Sequence, residues 1–142
     1  MDGAAPLMDM SHEELENLFR NSLPGEIPVG RGQGTVLFLP GTALAGPMAR
    51  LLRVLFWQGK VFDPEHSELR NLVSPFGVLA VRARVYGDRS WFDDKDCVVL
   101  DYSKTSKVAR WIRDEIREVV PGVYLGLVFW GRRHVLKFAL AF

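Results

Sequence analysis

Residues 123–142 read VYLGLVFW-GRRH-VLKFALAF: two apolar runs, Val123–Trp130 and Val135–Phe142, joined through Gly131-Arg132-Arg133. In the second run Leu136, Phe138, Leu140 and Phe142 recur at every other position with Lys137 between them, the period-two spacing of a strand that buries one face. Two such runs around a short turn signal an antiparallel hairpin. The pattern continues upstream, where Val78–Val85 stops at Tyr86-Gly87-Asp88 and Cys97–Tyr102 stops at Ser103-Lys104. Short strands punctuated in this way predict a mainly β domain, an antiparallel meander closing into a barrel. An α+β curved sheet packed on helices is the alternative.

A chain of 142 residues, 48% hydrophobic and 25% charged, fits one domain able to bury roughly two-thirds of its unfolded surface. Residues 1–10 read as a flexible leader and 11–142 as a single barrel-like domain. Ser11-His12-Glu13-Glu14 has the form of a capping box, followed by Leu15, Leu18, Phe19 and Leu23, so a short helix is expected over about 12–22, ended by Pro24-Gly25. Gly30, Gly32 and Gly34 lead into the strand-like Thr35–Leu39. A phosphate-cradling loop needs a helix after its glycines, so a bulged strand with close backbone approach is the better reading. Pro47 suits the start of a helix to about Phe56, with Met48, Leu51, Leu52 and Leu55 on one face. Trp57–Phe62 reads as a strand, and Asp63–Arg70 as a polar connection.

Residues 106–119 admit two readings. Val108, Ile112, Ile116 and Val119 fall at helical spacing behind Ser106, whereas Pro121-Gly122 suits a turn between Arg113–Val119 and Val123–Trp130. The expectation adopted is a helical turn near 106–110 and then a strand. Arg113, Glu115 and Arg117 would then share one face, and Ile112, Asp114 and Ile116 the other.

A net charge of +1 offers no general field for nucleic acid. No run reaches the length of a membrane-spanning helix, although peripheral membrane contact is compatible with the sequence. The lone Cys97 forms no internal disulfide, and the acidic start of the chain is unlike a secretory signal, so a cytoplasmic location is expected. His12, His66 and His134 lack metal-ligand spacing and no nucleophile motif occurs; neither a metal nor a cofactor is expected. The carboxylates around Trp91–Asp96 suit a solvated hairpin.

Polar residues inside strand-like runs carry more information. Lys60, Arg82, Arg84 and Asp101 lie among residues expected to be buried, and a buried charge needs a partner. Gly30-x-Gly32-x-Gly34, Trp57-x-Gly59-Lys60-x-Phe62 and Asp101-Tyr102…Arg113…Tyr124-Leu125-Gly126 together resemble the GXWXG-type proteins, with Leu55 at the place of that motif's first Gly. The resemblance spans about residues 30–130 and implies a lipocalin-like barrel that binds a hydrophobic molecule. No catalytic residue comes with it.

Two functions follow as expectations. In the first, the barrel binds a hydrophobic or amphipathic small molecule, a lipid or related metabolite, walled by Trp57, Phe62, Trp111, Tyr124, Phe129 and Trp130, with Lys60, Arg82 or Arg113 at its polar head. In the second, the same cavity serves an isomerase or cyclase, with Asp101 as base and Tyr102 or Tyr124 as donor. A non-catalytic interaction module with a filled core would share the strand pattern.

Overall fold

The computed structural model describes residues 3–38, 57–73, 78–107 and 109–142. Two helices, α1 (Ala5–Met8) and α2 (His12–Arg20), precede eight strands: β1 (Gly30–Phe38), β2 (Trp57–Asp63), β3 (Glu68–Val73), β4 (Val78–Arg89), β5 (Asp96–Asp101), β6 (Ile112–Val120), β7 (Val123–Trp130) and β8 (Arg133–Ala141). The strands pair antiparallel in sequence order and β8 returns to β1, which closes the barrel. Closure removes the exposed strand edge that an open meander would present. The helix expected over 47–56 lies outside the described residues. No helix among the described residues is long and apolar enough to cross a membrane.

Alternation sorts the side chains. Val98, Leu100, Ile112, Ile116, Val128, Leu136, Phe138 and Leu140 point into the barrel and form its core. Val123, Leu125, Leu127, Phe129 and Ala139 point outward, where Ala4, Leu7, Leu15 and Phe19 cover them in a second core. Residues 3–10 are therefore no loose leader: Ala4 and Leu7 are buried and the short α1 packs on the barrel wall. Helix α2 carries the expected capping box, Ser11 Oγ accepting from the Glu14 amide and Glu14 Oε1 from the Ser11 amide.

Three boundaries differ from expectation. Tyr86–Arg89 continue β4, paired with Asp96–Val99, and the turn falls at 90–95. The polar Asp63–Arg70 stretch holds a turn and the start of β3, where inward Leu69 precedes outward Arg70. Residues 102–107 and 109–111 form turns, the Ala109 amide donating to Ser106 Oγ, and β6 starts at Ile112. The Pro121-Gly122 turn, with Gly122 at φ +78°, matches strand twist poorly, and a bulge between Glu118 and Val120 absorbs the mismatch.

The two barrel ends differ. Residues 21–29 cross the proximal end: the Glu118 amide donates to the Pro24 carbonyl and the Tyr124 hydroxyl to that of Glu26, at 2.6 Å. Inside this end the Phe142 ring meets Phe62 and Tyr124 edge-on, in space left by Gly32. The distal end carries the described turns between β5 and β6 and between β7 and β8.

Candidate functional site

Alternation in β2 turns Lys60 inward between Gly59 and Val61, and its side chain is 4% exposed. Its Nζ donates to Asn71 Oδ1 at 2.7 Å and to the Tyr102 hydroxyl at 2.6 Å, and lies 3.2 Å from Asp114 Oδ2. The same ammonium stands over the Tyr102 and Phe138 rings at 5.3 and 5.4 Å, a contact worth most where water is excluded. Asn71 Nδ2 donates to Tyr102 at 2.8 Å and to the Val81 carbonyl at 2.9 Å. Four polar side chains from β2, β3, β6 and the end of β5 thus meet inside an apolar barrel.

The register shift opposite β3 lies in β4, where Val81 is the extra residue; Arg70 and Asn71 are consecutive and alternate outward and inward in the ordinary way. Val81 adopts φ +56°, a region costly for a β-branched residue. The carbonyl that accepts from Asn71 belongs to this strained residue.

The charges are held unequally. Burial works to lower the Lys60 pKa, but Tyr102 and Asp114 outweigh it, so it lies above the usual lysine value. Burial raises the Asp114 carboxyl, against the pull of the Lys60 ammonium and the Tyr102 hydroxyl. It raises Tyr102 as well. Asp114 Oδ1 is buried and has no hydrogen-bond partner among the described residues.

The residues marked in the sequence divide between the two faces of the wall. Lys60, Phe62, Tyr102 and Tyr124 enter the barrel interior, and Trp130 packs against it. The Trp57 side chain lies outside the described residues. Arg82 is on the outer surface, 3.8 Å from Glu68. Arg113 also faces out, 3.1 Å from Glu115 and stacked on Trp91. Phe129 belongs to the outer core and Trp111 is 56% exposed. Asp101 alternates outward from Leu100 and Tyr102 and accepts from the Tyr86 hydroxyl and the Ser103 amide, so it does not share a site with Tyr102. Those bonds outweigh its partial burial and hold its pKa below the usual carboxylate value. Asn71 and Asp114 complete the interior cluster without having been singled out beforehand. The alternation of Asp114 with Ile112 and Ile116 was the signal for one, whereas the other follows directly on a stretch that reads as a polar connection.

Further buried charges lie outside the barrel, beneath α2. Arg117 is fully buried, grips Asp93 through two bonds of 2.6 and 2.7 Å and donates to the Phe19 carbonyl. Glu115 accepts from Ser90 Oγ and the Trp91 amide. These bonds fasten the 90–95 turn and α2 to the wall. Cys97 is buried, its thiol pushed up to about 12 mainly by burial, which keeps it unreactive.

No family model and no curated protein sequence matches the chain. A crystal structure of a protein from Thermomonospora curvata is similar in fold, with a TM-score of 0.67 at 20% identity, covering 96% of this chain and 90% of that one. The similarity extends over the whole barrel. It concerns the fold alone.

Proposed function

We propose that the barrel binds an amphipathic small molecule, a lipid or related metabolite, whose polar end donates a hydrogen bond to Asp114 Oδ1. The observation that carries this reading is that oxygen itself, buried beside Lys60, Asn71 and Tyr102 and without a hydrogen-bond partner among the described residues. Leaving a buried acceptor unsatisfied costs about 1–3 kcal/mol, and more for a charged group, which a ligand hydroxyl or amide N–H would recover. The Lys60 charge is already matched by Asp114, so an acidic head group gains little there. The apolar body would lie along Ile112, Val128, Leu136 and Trp130, in keeping with the resemblance to lipocalin-like GXWXG-type barrels. Barrels of eight strands are wide enough either to be filled by side chains or to hold one such ligand.

Titration of dodecanol, its methyl ether and dodecanoate against Trp fluorescence tests the reading. The alcohol is expected to bind more tightly than the ether by roughly 1.5–3 kcal/mol, the worth of a hydrogen bond to a charged group. Equal affinity for alcohol and ether would remove Asp114 from the site, and no binding by any of the three would leave a filled interaction module.

One observation favours a catalytic version: a carboxyl raised by burial shares a cluster with a phenol. Asp114 would serve as base and Tyr102 as donor in an isomerisation or cyclisation. Deuterium uptake by an enolisable long-chain ketone, lost in Asp114→Asn, would support it; no uptake leaves binding alone.

A further inference from the structure

We propose that the distal end of the barrel docks on an anionic lipid bilayer. Within the described connections at that end, Lys104, Lys107, Arg110, Arg132 and Arg133 are all exposed and no acidic residue occurs. None of the five takes part in the ion pairs formed among the described residues. Asp101, where β5 ends, is taken up by Tyr86 and Ser103. Turns at the proximal end have the opposite balance, with Glu26, Glu65 and Asp94 against Lys95, while Asp93 is matched by Arg117. Among the described turns the net charge of +1 therefore conceals a difference in sign between the two ends.

An aromatic group stands within the basic collar. Trp111 is 56% exposed, its carbonyl bonded to the Gly131 amide beside Arg132, and the Arg110 guanidinium lies 4.9 Å from its ring centre. An exposed Trp flanked by cations suits the head-group layer, where the indole is partly buried and each basic residue gains from the negative surface potential. The collar surrounds the end nearest Asn71, Tyr102 and Asp114, but docking is a property of the surface and does not depend on an interior ligand.

Cosedimentation with vesicles of phosphatidylcholine containing phosphatidylserine, and with pure phosphatidylcholine, tests the proposal. Binding is expected only to the serine-containing vesicles and should fall steeply with salt, because exposed charges are screened. Each neutralised charge should weaken it about fivefold, so Arg132→Gln/Arg133→Gln and Lys104→Gln/Lys107→Gln should each lose roughly 25-fold. Trp111→Ala should weaken it too, while Arg31→Gln at the other end should leave it unchanged. Arg132 also stands over the Trp91 ring at 4.2 Å, so melting temperatures of the variants establish that they fold, and the Lys104→Gln/Lys107→Gln pair tests the charge without that contact. Absence of binding at low salt, equal loss in Arg31→Gln, or tighter binding to an oligonucleotide than to the vesicles would overturn it.

Discussion

Lys60 Nζ and Asp114 Oδ2 stand 3.2 Å apart inside the barrel, each side chain 4% exposed. Removing one member of a buried pair leaves the other charge uncompensated, typically at a cost of about 3–5 kcal/mol, whereas replacing both with apolar groups is often neutral. Lys60→Met is therefore expected to destabilise strongly in urea denaturation at neutral pH, and Lys60→Met/Asp114→Leu to recover most of the loss. Asp114 has a raised folded pKa, so its contribution is full below the unfolded value and declines as pH rises through the folded one. Loss of the Lys60 ammonium raises that folded value further, so the single variant should regain stability on acidification. A single variant as stable as the wild type would show that the pair is not closed off from water.

Asp93 and Arg117 behave in the opposite sense. Burial pushes the Asp93 carboxyl up, but the bonds from Arg117 outweigh it and hold the pKa below the usual carboxylate value. Its contribution is present above the unfolded value and lost as pH falls through the folded one. Asp93→Asn is expected to cost about 3–5 kcal/mol at neutral pH and to flatten the steepest part of the acid limb. An unchanged acid limb would contradict this.

His134 has a pKa lowered to about 4, first by burial and then by Lys137, with Glu16 opposing and His12 adding to the decrease. Phe92 and Phe129 complete its surroundings. Because the folded pKa is depressed from 6.5, stability from this group is full above about pH 6.5 and lost as pH falls towards 4, on the order of 3 kcal/mol. Denaturation curves at either side of that window should show His134→Gln losing less than wild type.

Gly126 faces inward opposite Phe138, and a Cβ there would lie 2.2 Å from the ring. Gly126→Ala should cost about 1–3 kcal/mol through overpacking. Phe138→Leu in the same chain should restore part of it. If the double variant is no better than the single one, backbone freedom and not ring packing requires the glycine.

The barrel was legible in β8, where the polar Lys137 between Leu136, Phe138 and Leu140 marked the inward face in advance, although Lys137 is itself fully buried on the outer wall. The same rule failed in β7, where no polar residue marks the outer face. Outward Leu125, Leu127 and Phe129 are as apolar as the interior because α1 and α2 lie over them, so apolarity alone could not assign Phe129. Likewise Arg113 and Lys60 both sit in apolar surroundings, and only the closed register shows that one meets Trp91 outside and the other Tyr102 inside. Asn71 was missed because the start of β3 reads as a polar connection.

The most direct test of the interior site is methyl NMR of the protein titrated with dodecanol. Ile112, Val128 and Leu136, which share the interior with Asp114, should shift and saturate together, while the outward Leu125 and Leu127 stay in place. Shifts confined to the outer wall, or none at concentrations where the alcohol is soluble, would contradict a ligand site inside the barrel.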